Sequence, residues 1–338
     1  MSSLIRHISP VRPERARGLV AEVYAQVNRE FSSIGPAVMM LSPSEELMAA
    51  GWSLMREAQL AGAVPILDKA VAALGTALAN GVPYEIETLV VVVRRLGAGA
   101  LADAVQRGED PADVRLGALL AWASSTGVRE PGEPPFTGET AAELVGTVLF
   151  THFINRVAAA MLPAGLTPGT LDPEDPPAFD DAPVLREPTG DLKPGATLAL
   201  LDGLPSLEEP AWAEGTPVGA AYAALTAIAG QGAALLSPAA SDVVTATITT
   251  HRGRRVPAGA WLDQALAPLE GGGRAGAKIA ILAGLAPDAL TDEDVAEWRA
   301  SDRRLSDHCT THLLAYGVIT AVEAIETDIA ATLRPSAL

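Results

Sequence analysis

Between residues 66 and 97 the apolar positions describe two helices that meet at a short break. Ile66, Leu67, Ala70, Val71, Leu74 and Leu78 recur at the spacing that lays one stripe along a helix, predicting an element over 66–80. Gly81 tolerates the left-handed backbone that ends a helix, and Pro83 fits the first helical position, where no amide donor is wasted. A second helix is predicted over 84–95. Its stretch 89–93 is almost wholly apolar and largely β-branched, which predicts burial on most sides.

The same spacing continues on both sides. Leu19, Val20, Val23, Tyr24 and Val27 predict a first amphipathic helix. Ser42-Pro43-Ser44-Glu45 reads as a helix start, with Ser42 accepting a backbone amide, Pro43 in the first position and Glu45 reaching back. The helix through Met48, Trp52 and Met55 follows. Pro111-Ala112-Asp113 opens another, whose stripe is Val114, Leu116, Leu119, Leu120 and Trp122. A loop over 126–137 precedes Thr140-Ala141-Ala142-Glu143, a capping-box pattern before a long apolar helix that ends ahead of Pro163.

The pattern breaks at 163–216, where prolines and acids alternate and little regular structure is expected. Residues 198–204 hold several apolar anchors, so this connector is expected to wrap the protein. From 217 the chain is helical again. Ser237-Pro238 mirrors Ser42-Pro43, and Ile281-Leu-Ala-Gly-Leu-Ala-Pro287 mirrors Ala77-Leu-Ala-Asn-Gly-Val-Pro83. These matches suggest an internal duplication. The expected layout is an arm over 1–17, a helical domain over 18–162, the connector over 163–216, and a second, degenerate helical domain over 217–338.

Composition adjusts this all-α picture in three ways. Hydrophobic residues make up 49% and aromatics only 4%, so a large core is available and is built mostly of Ala, Leu and Val. Lys plus Arg is 24 against Asp plus Glu at 41, a net charge of −17, which argues against polyanionic partners such as nucleic acid or an anionic membrane surface. A single cysteine, Cys309, excludes an internal disulfide and fits a reducing compartment. No leader-like run opens the chain and no stretch is expected to reach membrane-spanning length, so a soluble, cytoplasmic protein is expected.

The sequence Ala79-x-x-x-Pro83-Tyr84 followed by an apolar helix resembles the alkylhydroperoxidase D-like, or carboxymuconolactone decarboxylase-like, family. Phe153-x-Asn155-Arg156 on the long helix resembles its double-domain members. The resemblance implies an internally duplicated helical bundle and a homo-oligomer. Redox members of that family carry Glu-x(11)-Cys-Pro-Tyr-Cys-x-x-x-His at the helix junction. Here the upstream Glu position is Ala70, the two Cys positions are Val82 and Glu85, and the His position is Leu89; Pro83 and Tyr84 match. Thiol peroxidase chemistry needs one thiolate to attack and a second thiol to resolve. In the second half the corresponding thiol positions are Ala286 and Ala289.

Candidate chemistry therefore rests on other groups. Glu85 stands in a thiol's place, where burial would raise its proton affinity toward that of a general acid or base. A helix dipole equally favours acids in this first turn, and it is the simpler account of Glu87. His152, Asn155 and Arg156 share the long helix. They form either a buried network between helices or a corner that binds an anion or carbonyl. His308 and His312 lie at i, i+4 beside Asp307 and Cys309. Cys309 points about 100° away around the helix, and two imidazoles alone do not make a tetrahedral site, so no metal and no cofactor is expected.

Two functions remain open. One is a cofactor-free lyase, isomerase or cyclase acting on a small apolar or polyketide-like metabolite. It would use Glu85, His152, Arg156, His308 and His312 as acid–base groups, with Tyr84, Glu87, Trp122 and Asn155 contacting substrate. The other is a non-catalytic relative that binds a ligand or partner.

Overall fold

The computed structural model describes residues 5–31, 35–163, 165–166 and 192–333. The connector's 167–191, with most of its prolines, lies outside them. Among the described residues every regular element is helical. The first half runs α1 (Gly18–Glu30), α2 (Pro36–Met39), α3 (Glu45–Met55), a π-helical turn (Arg56–Leu60), α4 (Ile66–Asn80), α5 (Pro83–Arg95), α6 (Gly99–Arg107), α7 (Val114–Thr126) and α8 (Gly138–Met161). The second half runs α9 (Pro217–Gly230), α10 (Pro238–Thr250), α11 (Ala260–Leu266), α12 (Gly271–Leu285), α13 (Asp292–Ser301) and α14 (Asp307–Ala330).

The α4–α5 junction forms as the sequence predicts. Gly81 has φ +60° and closes α4, and Pro83 is the first residue of α5. Other helix starts shift by two or three residues. The cap of α3 is Ser44, whose Oγ accepts from Leu47 N at 3.2 Å. Ser42 instead donates to Met39 O (2.7 Å) and accepts from Val11 N (2.8 Å), so the turn at 40–43 stays outside the helix. No box forms at Thr140: α8 begins earlier, and Glu143 is drawn away to the loop before α4. The box at Thr291 and Asp294 forms and starts α13.

One continuous core runs through both halves. α4 packs against α5, α7 and α8; α12 packs against α10, α13 and α14; α8 meets α14, and α3 meets α9. α8 is buried along most of its length. Both α8 and the stretch Pro217–Leu235 are long and apolar enough to cross a membrane, with mean hydropathies of 1.4 and 1.3, contrary to the expectation that no stretch would be. Their apolar surface is spent inside the bundle, 94% and 61% of the respective windows being buried.

Polar contacts lock the halves together at helix ends, where backbone carbonyls lack partners within their own helix. Arg156 of α8 donates through Nε to Gly284 O in the last turn of α12 (2.9 Å) and through Nη2 to Gly253 O (2.8 Å). From the other side, Arg255 donates to Asn80 O, at the last residue of α4. Asn80 and Gly284 occupy equivalent places in the two mirrored segments, so each half supplies an arginine to the same position of the other. The likeness stops there. Pro287 opens only a three-residue 3-10 turn (Pro287–Ala289), because Thr291 already caps α13, and α5 has no full-length counterpart beyond the second junction.

The described parts of the terminal arm and of the connector are bound to the bundle. Ile5 and Ile8 are buried, Arg6 N donates to Met161 O (2.7 Å), and Arg299 reaches His7 O (3.0 Å). The described end of the connector is held by Glu57, which accepts from Gly195 N (2.6 Å) and Thr197 Oγ1 (2.6 Å). At the α12–α14 crossing the backbones nearly touch: a Cβ on Gly317 would lie 1.9 Å from Ala280 O. Gly317→Ala is expected to force these helices apart and to destabilise the protein by about 3 kcal/mol. Urea denaturation measures this, and an unchanged midpoint would contradict the close approach.

Candidate functional site

The α4–α5 junction opens onto a cavity of about 170 Å³. Its walls come from the π-helical turn after α3, from α4, α5 and α8, and from residues 35–37. They are mostly apolar, with Met55, Leu60, Ile66, Leu89, Phe150 and Ile154 among them. The polar lining consists of Gln59, Lys69, Tyr84, Glu85, Thr88 and Thr151.

Glu85 projects from the first turn of α5 because Pro83 and Tyr84 precede it there. Among the described residues no hydrogen bond or ion pair reaches its carboxylate. Burial pushes this carboxyl up to about 7 from its ordinary 4.5. A helix N-terminus stabilises an anion by about 0.3–1 kcal/mol. The shift at Glu85 corresponds to about 3 kcal/mol in the opposite direction, so burial wins. Glu87, two residues on, is exposed and lines a different, outer cleft with Arg6 and Asp288. Tyr84 lines both spaces. Its hydroxyl is held above its usual range, first by burial and then by the neighbouring Glu85, and no protein partner for it is found among the described residues.

Lys69 enters the cavity wall from α4, and the sequence reading missed it. It is 2% exposed, and its ammonium contacts the Glu143 carboxylate and Ala61 O. Burial lowers its proton affinity, partly offset by Glu143. Glu143 also accepts from Ala63 N (2.9 Å) and Val64 N (3.1 Å), and so shapes the loop that carries the chain from the π-helical turn into α4. Gln59 in that turn donates to Thr151 Oγ1 on α8 (3.0 Å). Single-turn π-helices often mark functional positions. A lysine one residue from a predicted apolar stripe was the available signal; the π-helical turn had none.

The other candidate residues lie elsewhere. His152 and Arg156 are both 0% exposed and do not line the cavity. Thr126 Oγ1 donates to Ala123 O (2.7 Å) and lies 2.8 Å from His152 Nε2. His152 Nδ1 lies 3.1 Å from Asn80 Oδ1 and 3.2 Å from Arg156 Nη1, so both ring nitrogens are engaged. The ring is neutral, its proton affinity held well below 6.5 by burial and by Arg156. Asn155 accepts from Asn80 Nδ2 (3.1 Å) within the same network. Trp122 is buried in α7, edge-on to Phe136 at 4.8 Å.

His308 and His312 do share a face, with ring centroids 4.5 Å apart, at the contact between α14 and the start of α3. His312 Nε2 is 3.0 Å from Ser44 Oγ, and burial, then His308, brings its pKa down to about 4. His308 Nδ1 is 3.2 Å from Pro43 O. Neither lines the cavity. Cys309 turns to Ser306 and Arg304 O, away from both rings. Among the described residues no group of three or more metal-ligating side chains comes together.

The fold and its helix junction define an all-α protein of the alkylhydroperoxidase D-like type, with a carboxyl at the junction. Alkyl hydroperoxide reductase Rv2159c of Mycobacterium tuberculosis is 33% identical over 333 residues, 97% of this chain and 95% of that protein. The chain belongs to this alkylhydroperoxidase D-like family. No family model matches it.

Glu85 gives stability a pH dependence of known sign. The folded carboxyl keeps its proton up to about 7 and the unfolded one only to about 4.5, so stability falls as pH rises through that window. Glu85→Gln removes this slope. The variant is expected to gain about 2 kcal/mol over the wild type between pH 5 and pH 8. Parallel urea titrations check this; identical slopes in the two proteins would mean that the carboxyl is hydrated.

Proposed function

We propose that this chain is a cofactor-free enzyme that moves a proton on a small apolar molecule held in the α4–α5 cavity, as a lyase, isomerase or cyclase does. One observation carries the reading: an unpartnered carboxyl whose proton affinity lies near neutrality sits on the wall of an otherwise apolar cavity. Such a group is populated in both protonation states at neutral pH, which is the condition for efficient general acid–base catalysis. Glu85 gives or takes the proton, and the Tyr84 hydroxyl donates a hydrogen bond to the oxygen on which negative charge develops. His152, Arg156, His308 and His312 serve this scheme by holding helices in place.

The relative named alkyl hydroperoxide reductase raises hydroperoxide reduction as a further activity. A two-thiol mechanism within one chain is not available, because the chain has one cysteine, and Cys309 is not on the cavity lining. A thiol-coupled hydroperoxide assay is expected to show no turnover above background. Turnover that persists in Cys309→Ser would show that a different group reduces the peroxide.

A non-catalytic ligand-binding role is favoured by one fact: among the described residues no second acid–base side chain on the lining is paired with Glu85. Gene deletion separates the two roles. A small apolar metabolite is expected to accumulate, to be cleared by the wild type and Cys309→Ser, and to persist with Glu85→Gln. Clearance by Glu85→Gln would leave binding without proton transfer.

A further inference from the structure

The wall of the cavity restricts what can occupy it. Lys69 is its cationic side chain, and that charge is already neutralised by Glu143 and hydrogen-bonded to Ala61 O. Among the described residues no free cation on the lining is left to meet an anionic ligand. Glu85 is the lining's unpaired acid. An incoming ligand that displaces the remaining water from around it makes its charged form costlier still. Once protonated, the carboxyl is a donor without an acceptor, and an apolar ligand with one oxygen supplies that acceptor. The size is also bounded. An apolar cavity of about 150 Å³ admits benzene, and this one measures about 170 Å³.

We infer that the cavity takes a neutral molecule of about six to nine non-hydrogen atoms, monocyclic or similarly compact. Its single carbonyl oxygen docks on the protonated Glu85 carboxyl, and the corresponding carboxylates are rejected. The inference rests on reading this cavity as the active site, but it concerns what binds and not whether binding leads to reaction. Selectivity follows from charge: a carboxylate would bring a second anion beside Glu85 into a space whose ammonium is engaged, and a hydrocarbon would leave the acid's proton without an acceptor.

Calorimetric titration of the full chain with acetophenone, ethylbenzene and benzoate at pH 6 and pH 8.5 tests this. Acetophenone is expected to bind at pH 6 and about 30-fold more weakly at pH 8.5, following the protonated fraction of a group that titrates near 7. Ethylbenzene is expected to bind about tenfold more weakly than acetophenone at pH 6. Benzoate is expected not to bind. Glu85→Gln, which keeps a donor, is expected to bind acetophenone equally at both pH values. Ala73→Leu, which fills part of the cavity, is expected to weaken all binding.

Benzoate binding as tightly as acetophenone would overturn the inference. So would acetophenone affinity in the wild type that ignores pH, or folded protein that binds none of the three probes. The expected binding pattern together with metabolite clearance by Glu85→Gln would sink proton transfer and keep the ligand class. Loss of clearance in Glu85→Gln, combined with benzoate binding, would do the reverse.

Discussion

A guanidinium buried without a carboxylate partner holds this molecule together. Moving a charge that size out of water costs several kcal/mol unless every donor finds an acceptor. Arg156 meets that demand with carbonyls: Gly284 O and Gly253 O from the second half, and His152 O from its own helix. Burial and Arg255 together push its pKa down to about 9, which leaves it charged at neutral pH. The acceptors are carbonyls near helix ends, which would otherwise lack partners. The arginine and the ends it caps therefore satisfy each other, and neither half can close its polar ledger without the other.

This constraint reaches the cavity through α8. The helix that carries Arg156 also presents Phe150, Thr151 and Ile154 to the cavity, one to two turns away. Once the guanidinium fixes α8 against α12, those side chains are fixed against α4 and α5. The π-helical turn is tied to α8 by Gln59 and Thr151, and to the end of the connector by Glu57. Among the described residues Glu85 is thus the cavity's unpaired carboxyl, beside the unpaired Tyr84 hydroxyl, while the Lys69 ammonium is engaged by Glu143. With no charged partner, its proton affinity is set by burial.

The two halves diverge where function is proposed. Asn80 and Gly284 hold the same place in the mirrored segments, and an arginine reaches the carbonyl of each from across the interface. Beyond the first, a full helix follows and a cavity opens beside it. Beyond the second, the chain makes one 3-10 turn and moves directly into α13. A short turn exposes no long apolar face, and the cleft beside Ala286 and Ala289 is lined by the ion-paired Arg255 and Asp288 instead of an unpaired acid.

Much of the helical framework was legible in the residues. Gly81 and Pro83 restrict their own backbone, and the stripes of α4 and, apart from the exposed Val114, of α7 follow from helical period, so these elements depend on near neighbours only. What lay beyond reach was every choice made by residues distant in the chain. Ser42 and Ser44 are equivalent as caps until Val11 and Met39 claim the first. Glu143 suits a capping box until Ala63, Val64 and Lys69 outbid that role. Glu85 and Glu87 look alike in one helical turn, yet one is half-buried beside the cavity that α4 and α8 help to line while the other is exposed. The sequence determined the helices, the absence of a thiol pair and the presence of an acid at the junction, because those are properties of single residues and their neighbours. Tertiary structure alone decided which acid lost its water and which histidines were locked into networks, because desolvation depends on side chains brought together from opposite ends of the chain.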